Sequence, residues 1–459
     1  MKETIQSFNR ILLYDEDKDA LIDEILRLRE ENQKLRESLR KEKEQKKSLL
    51  EIAGLTKKKV RKRRKKPGRK KGHIGCTRHT PDAIDHIIHQ TLEVCPDCGM
   101  SKLSELPSET VEHIQEDIVP VRVEATKFIR HGYWCPCCKK KVMAAYASEE
   151  IPYGYLGPNI LIQTVLMKYY HGLPYHKIKE LFFVFHGLKL TTSALAQALQ
   201  RMSRWLTVEE DVIIEAVRSS PYIHMDETGW KIFGVNHWMW NAVNERLALY
   251  RIRRSRGRKV AKEILTTDYG GIVISDFLSA YDKSGRKRQR CLVHLYRDMK
   301  KYRELDKTEE SQKAYAQLNR ILKDAYRLDH IRSSLEPVIF LRRFHLIKER
   351  LFNFACNAFR SKHWQRISKR LLKHYEEILT FLEVPHLPSH NNHAERMIRP
   401  NIIFRKISYQ NRSEDGARAH EVHMSLLQTL RLQNIDPVST IKQAYLAHRK
   451  GNTAPVLAF

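Results

Sequence analysis

The sequence predicts a multidomain α+β protein organised around one α/β core, and three observations predict it. An apolar run carries an acid in Pro221-Tyr-Ile-His-Met-Asp226-Glu-Thr-Gly-Trp230. A second, β-branched run is opened by Gly270 and Gly271 and ends in another acid, Asp276. Between them lie two strand-like stretches, His237–Val243 and Leu247–Ile252, joined by polar Asn244-Glu245-Arg246, and then a helical stretch, Lys259–Leu265, suited to a crossover into a parallel strand. Strand, hairpin, strand, helix, strand is the element order of an RNase H-like core. In that order the first and fourth strands are neighbours, which would bring Asp226 and Asp276 together. A third acid has to come from further along, and Glu395 is the candidate.

A chain of 459 residues with 42% hydrophobic content has room for several packed domains. The formal net charge of +29 favours a polyanionic partner, because each neutralised phosphate releases condensed counterions. A membrane surface is the rival reading. The sequence shows no long uncharged apolar run and no secretory signal, so the expectation is a soluble, cytoplasmic, nucleoid-associated protein with no membrane partner. Its eight cysteines are clustered, which argues for metal binding over disulfides.

Residues 1–56 are expected to hold a helix. Leu21, Ile25, Leu28, Asn32, Leu35 and Leu39 alternate steps of four and three, the seam of a coiled coil, with Asn32 at an a position. The alternative is a single amphipathic helix docked on its own protein; the coil implies a homodimer or a higher assembly. Residues 57–90 carry Lys57-Lys-Lys-Val-Arg-Lys-Arg-Arg-Lys-Lys-Pro-Gly-Arg-Lys-Lys71, too many like charges to pack together. This run reads as a solvated linker or as a segment that meets phosphates through Lys62, Arg63, Arg64, Lys65 and Arg69, adding affinity but little sequence reading.

Residues 91–147 hold Cys95-Pro-Asp-Cys98 and Cys135-Pro-Cys-Cys138. Two Cys-x-x-Cys turns at this separation suit a structural four-thiolate Zn²⁺ site, a zinc ribbon, with Cys95, Cys98, Cys135 and Cys138 as ligands and Cys137 and His131 in reserve. Residues 150–212 read as three helices, 159–170, 175–185 and 193–206. Gly187 breaks the second, and Thr191-Thr192-Ser193 caps the third. Exposed Gln197, Gln200, Arg201 and Arg204 on a capped helix fit a helix-turn-helix or a plain helical bundle.

The core's first part spans 213–303, where Arg290–Leu295 reads as a fifth strand running into a basic helix, Tyr296–Tyr302. Cys291 and His294 read as packing residues, or as half a metal site. Residues 304–388 are helix-periodic and basic, an all-helical insertion. Residues 389–436 bring the third acid in Ser389-His-Asn-Asn-His-Ala-Glu395-Arg-Met-Ile-Arg-Pro400. Asn391 or Asn392 can cap a short helix that Pro400 ends. The plain reading of Glu395 and Arg399 is a surface ion pair. A helix over 413–434, with Met424, Leu427 and Leu430 on its apolar stripe, and a weaker helix within the 437–459 tail complete the chain.

Two carboxylates on neighbouring parallel strands repel unless a cation lies between them. With a third from a helix they form an oxygen-rich site suited to two Mg²⁺ or Mn²⁺ ions, with surrounding Lys and Arg to hold a nucleic-acid strand. Glu227 points to the opposite face of a regular strand. Asp282 is a reserve candidate, and Asp268 precedes its strand.

The ordered stretches resemble the transposases of the insertion sequence 66 family, bacterial DDE transposases. The resemblance is carried by the leucine-rich start, Gly68-Arg-Lys-Lys-Gly-His-Ile-Gly75 and the paired cysteines. It continues through Gly172-Leu-Pro-Tyr175, His224-Met-Asp-Glu-Thr-Gly-Trp230, Ser275-Asp276, Ala280-Tyr281 and Cys291-x-x-His294, then Asn392-His-Ala-Glu-Arg-x-Ile-Arg-Pro400, Arg405-Lys406 and Asp436-Pro437. It implies that Asp226, Asp276 and Glu395 are the catalytic triad with divalent metal as cofactor, that double-stranded DNA is the partner as terminal inverted repeats and as target, and that small accessory proteins of the same element act alongside. Arg201, Arg204, Arg396, Arg399, Arg405 and Lys406 join the basic run as candidate DNA contacts. The chain departs from the family in the basic residues of Gly68–Gly75 and in Leu292, where relatives carry an aromatic. Two other readings stand beside this one: a DNA-binding regulator without chemistry, and an RNase H-like nuclease that cuts without joining.

Overall fold

The computed structural model describes residues 154–449 and 451–458, the stretches 83–93, 95–100 and 122–147, positions 150 and 151, and scattered positions between 27 and 115. Positions 27, 31, 33, 34, 37 and 38 are helical and exposed; the seam Leu21, Ile25, Leu28, Asn32, Leu35 and Leu39 lies outside the described residues, as do Lys62, Arg63, Arg64, Lys65 and Arg69. The chain divides into two compact units, Met1–Asp117 and Ile118–Phe459.

The second unit opens with an antiparallel hairpin of β1 (Gly132–Cys135) and β2 (Lys140–Met143), in register Cys135 to Lys140. Helices α1 (Pro158–Val165, continued by one π turn, Leu166–Tyr170), α2 (Tyr175–His186), α3 (Thr192–Trp205) and α4 (Thr207–Arg218) follow. Gly187 ends α2 in the left-handed region at φ +64°, where a side chain would be strained. The Thr191 hydroxyl accepts from Ala194 N–H at 3.1 Å and starts α3.

The sheet is built from β3 (Tyr222–Ile232), β4 (Val235–Val243), β5 (Ala248–Arg253), β6 (Ile272–Ser275) and β7 (Lys287–Arg290), with helix α5 (Arg258–Leu265) crossing from β5 to β6. Its spatial order is β5-β4-β3-β6-β7. The first three strands pair antiparallel, while β3–β6 and β6–β7 are parallel.

The fifth strand is not the apolar stretch Arg290–Leu295. It is the polar Lys287–Arg290, and helix α6 (Leu292–Leu305) begins where that strand was expected to continue. The reason is electrostatic pairing that periodicity cannot register. Arg288 and Arg290 bond Glu377 at 2.6 Å, Arg290 bonds Asp282 at 2.7 Å, and Lys287 bonds Glu383 at 2.9 Å. Arg290 is fully buried, so its charge is tolerable only because carboxylates enclose it. Against the opposing effect of burial, the His374 hydrogen bond and then the guanidiniums of Arg290 and Arg288 hold the Glu377 carboxyl down at about 2.

Helices α7 (Glu309–His330), α8 (Pro337–Ala355), α9 (Lys362–Lys373) and the short α10 (Tyr375–Ile378) and α11 (Thr380–Glu383) form the insertion. They share an apolar core that includes Leu318, Leu351, Phe354, Trp364 and Phe381 and reaches Leu292 and Leu295 of α6. Helix α12 (Asn392–Ser408) then returns the chain to the sheet, followed by α13 (Glu414–Leu432) and α14 (Pro437–Arg449).

Pro400 does not end α12; it lies inside it. Proline removes one backbone bond, but Ala394, Ile398, Asn401 and Phe404 are buried on both sides of it, and that packing keeps the helix continuous.

Helix α13 is buried over most of its circumference, not only along Met424, Leu427 and Leu430. Its polar residues cover the edge strand. Thr429, Ser425 and Glu421, one turn apart, accept the amides of Ala248, Tyr250 and Ile252 at 3.0, 3.0 and 2.6 Å. These are alternate residues of β5, whose amides a sheet edge would otherwise leave unpaired. The Thr429 hydroxyl also donates to Ala248 carbonyl oxygen at 3.2 Å. Thr429→Val, close in volume but without the hydroxyl, is expected to cost about 1–3 kcal/mol by leaving a buried amide unpaired, read as an earlier midpoint in urea unfolding. An unchanged midpoint would contradict this role.

Candidate active site

The parallel register pairs Tyr222 with Ile272 and His224 with Ile274. Two residues further along each chain stand Asp226 and Asp276, level with one another at the carboxyl edge of the sheet. Asp226 N–H donates to Asn241 Oδ1 on β4 at 2.9 Å, and Asn241 Nδ2 donates to the Ala394 carbonyl in the first turn of α12 at 3.0 Å. One buried amide thus joins the strand that bears Asp226 to the helix that bears Glu395. Asp276 Oδ1 accepts from Leu278 N–H at 2.8 Å, which turns the chain out of β6.

Asn391, fully buried at the head of α12, makes the second connection. Its Nδ2 donates to the Met225 carbonyl at 2.7 Å, so its Oδ1 is the acceptor facing His224 Nδ1 at 3.1 Å. Burial pushes His224 down to about 4, so the ring is neutral near pH 7 and its proton belongs on Nδ1. Asn391 N–H also meets Cys291 Sγ at 3.1 Å, and Leu292 N–H donates to the Ser389 carbonyl at 3.0 Å, binding the head of α6 to the head of α12. Cys291 is a buried packing residue. His294, one turn on, places Nε2 3.6 Å from Glu395 Oε1, with Arg297 at 4.0 Å. Glu395 Oε1 is buried and has no hydrogen-bond partner.

Burial pushes the Asp226 carboxyl up to about 7, and the charges of Glu227, Asp276 and Glu395 push the same way. Carboxylates near one another raise a carboxyl in this direction, and a divalent cation reverses the sign. Among the described residues no group of three or more His, Cys, Asp or Glu side chains stands close enough, as placed, to hold a metal ion. Glu227 projects from the other side of β3, where Arg256 bonds it at 2.7 Å and the Tyr281 hydroxyl donates to it. Asp282 is tied to Arg290 and Lys373, both at 2.7 Å.

Glu395 and Arg399 do not pair; the basic groups nearest the acid come from α6. Arg396, Arg399 and Lys406 are exposed on α12, and Arg201 and Arg204 on α3, with Arg204 3.8 Å from Asp415. Arg405 is half-buried and donates to Thr228 Oγ1 at 3.3 Å and to the Gly229 carbonyl, fastening α12 to β3. Motif reading passed over Asn241, and it took Asn391 for a helix cap; Asn391 does stand at the N-cap of α12, but its side chain turns to β3 and makes no capping bond. The available signals were an amide inside the apolar run Trp238-Met-Trp-Asn-Ala-Val243 and the doubled Asn391-Asn392.

Cys95 and Cys98 belong to the first unit, Cys135 and Cys138 to the second. Each pair forms a tight turn. Gly99 N–H donates to the Cys95 carbonyl at 2.8 Å with Gly99 at φ +73°, and Cys138 N–H points to Cys135 Sγ at 3.4 Å. The amide of the second cysteine in each turn holds the first thiol below its ordinary range. Amides aimed at sulfur favour thiolate, the form a metal takes.

With this geometry in place, the family comparisons fix the class of the protein. A family model described as "Transposase IS66 family" matches residues 153–419, and one described as "zinc-finger binding domain of transposase IS66" matches residues 93–139. The first covers more than half of the chain, so the class is transposase. The chain belongs to the IS66 transposase family. It is similar to three proteins of Sinorhizobium fredii (strain NBRC 101917 / NGR234). These are uncharacterized protein y4qI, 24% identical over 79% of this chain and 72% of its own length; y4jD, 24% identical over 78% and 75%; and y4hP, 23% identical over 78% and 71%. Among the described residues no helix is long and apolar enough to cross a membrane.

Asp226→Asn keeps the acceptor for Glu227 N–H, present at 3.0 Å, and removes the charge. Because the folded state raises this carboxyl, wild-type folding takes up a proton between about 4 and 7, and stability falls as pH rises through that window. In metal-free buffer the variant should therefore gain on wild type from pH 4 to 7 and hold that gain above, read by urea unfolding. A difference independent of pH would contradict the elevated carboxyl.

Proposed function

We propose that this chain is a metal-dependent transposase that cleaves DNA at the terminal inverted repeats of its element and joins the 3′-hydroxyl ends to target DNA. The observation that carries the reading is the Asn241 bridge, which holds the first turn of α12, bearing Glu395, against the sheet edge where Asp226 and Asp276 stand level, with Asp226 raised to about 7 chiefly by burial. The strand order β5-β4-β3-β6-β7, with the β3–β4–β5 meander antiparallel and β6 and β7 parallel to β3, supports an RNase H-like core. On this reading the core is interrupted by the helical insertion of residues 304–388.

Asp226, Asp276 and Glu395 would hold two Mg²⁺ or Mn²⁺ ions; the buried Glu395 Oε1, which accepts no hydrogen bond, and the raised Asp226 fit that role. When bound, such ions activate a water or 3′-hydroxyl and stabilise the leaving oxygen at the scissile phosphate. The protein's part is positional. Asn241 and Asn391 fix α12 against β3, and Arg297 places a guanidinium beside Glu395, where a phosphate would approach. Exposed Arg396, Arg399 and Lys406 supply backbone contacts along α12, and Arg201 and Arg204 do so on α3.

Cys95, Cys98, Cys135 and Cys138 would bind one structural Zn²⁺ in a module that, with residues 150–212, holds the terminal repeats. The Leu21–Leu39 seam would pair two chains and so two DNA ends, and the basic run of residues 57–71 would add contacts to phosphate. The element's small accessory proteins are the remaining partners on this reading.

The test is cleavage and joining of inverted-repeat DNA with Mg²⁺ by the full chain. Asp226→Ala, Asp276→Ala and Glu395→Ala are each expected to lose about 10³-fold or more in both steps, since metal charge stabilisation amounts to several kcal/mol and about 1.4 kcal/mol is tenfold. Full activity in any one of them removes that residue from the site. Cutting without joining would assign a nuclease instead, and binding without metal-dependent nicking a regulator.

A further inference from the structure

Two aromatic side chains stand out at the end of β3 furthest from Asp226. Phe233 and Tyr409 have φ of +46° and +64°, the left-handed region that bulky residues rarely enter, and they are 78% and 76% exposed. Neither is held there by burial of its ring. The backbone around them is tightly specified. Phe233 N–H donates to the Asn411 carbonyl at 2.9 Å, Asn411 N–H to the Lys231 carbonyl at 3.1 Å, and Gly234 N–H to Gln410 Oε1 at 2.7 Å. Trp230 Nε1 anchors the same loop on Asn411 Oδ1 at 2.7 Å. The β3–β4 turn and the end of α12 are thus one rigid tip that presents two rings to solvent at a conformational cost.

The approach to that tip is charged. Arg396, Arg399, Ile403 and Lys406, spaced three, four and three, share one exposed face of α12 that starts beside Glu395 and runs to Tyr409. With Lys231 at the tip, its four basic residues are free of carboxylate partners among the described residues. A track of unpaired cations ending in two exposed rings complements a polyanion that carries flat apolar groups.

We propose that Phe233 and Tyr409 stack on unpaired DNA bases, with the basic face of α12 guiding the backbone between them and the acids; this rests on the functional reading above. Fourteen residues of helix from Glu395 to Tyr409 rise roughly 20 Å, about six nucleotides of one strand. The patch therefore reads strand opening about six nucleotides from the reacting phosphate. The substrate it selects is repeat DNA that is already distorted, rather than a perfect duplex.

The test is binding by the full chain, with no divalent metal added, to inverted-repeat duplex and to the same DNA with a three-base mismatch bubble six nucleotides from the end. A 2-aminopurine in the bubble reports stacking. Phe233→Asn and Tyr409→Asn remove each ring with the side chain that, after glycine, is most often found at positive φ. Each is expected to lower affinity for bubble DNA about tenfold, leave duplex affinity within about twofold, and abolish the 2-aminopurine quench. Tyr409→Phe should keep all three properties of the wild type.

Variants that bind both DNAs like the wild type, or that lose both equally, would overturn the proposal. So would a fall in the mass of the free protein with DNA binding unchanged, which would make the patch a contact between copies. A wild type that prefers bubble DNA but neither cuts nor joins sinks the functional reading and leaves this one standing. One that cuts and joins without such a preference sinks this one alone.

Discussion

The placement of Glu395 depends on Asn391. This side chain is buried among two backbone segments and a histidine, and it has a partner for its oxygen and for one amide hydrogen: His224 and Met225 on β3. Its own backbone amide reaches Cys291. An unmet amide in that position would cost as much as several surface ion pairs, so the strand and the heads of two helices have one arrangement that satisfies it. Asn241 repeats the device from β4. The three acids come from positions 50 and 119 residues apart (276 − 226 and 395 − 276), and these two buried amides fix the helix that carries the third against the strand that carries the first.

The same use of buried polar groups recurs wherever separate parts of the chain are joined. Glu421, Ser425 and Thr429 fasten α13 to the edge of the sheet. Arg288 and Arg290, through Glu377, fasten the insertion to β7. Apolar burial gives each region its cohesion, with one core around the sheet and another in the insertion. Directional bonds then select the mutual placement, because apolar contact alone tolerates sliding.

What was legible in the sequence follows from this division. Strands β3 to β6 and helix α5 have period-two or amphipathic patterns and unmistakable turns, so their positions were readable to within a few residues. Gly187 and Thr191 marked the ends of α2 and α3 because their effects are local. Strand β7 was not readable, since Lys287-Arg-Gln-Arg290 becomes a strand through partners almost ninety residues away in the chain. The continuation of α12 past Pro400 likewise depends on packing on both sides of it. The strand positions of Asp226 and Asp276 and the helical position of Glu395 were readable from topology and motif together, whereas the partners of Asn241 and Asn391 are tertiary and an amide in an apolar run or a doubled Asn only hints at them. The coiled-coil seam and the basic run lie outside the described residues.

If Asp226, Asp276 and Glu395 form one cation site, they should bind metal together in the absence of DNA. The most direct measurement is titration of Mn²⁺ into the full-length protein, read by the electron paramagnetic resonance signal of the free ion. The wild type is expected to withdraw Mn²⁺ at a site lost in Asp226→Asn, in Asp276→Asn and equally in Glu395→Gln. Wild-type Mn²⁺ binding in Glu395→Gln would contradict a shared site and separate the helix acid from the two on the sheet.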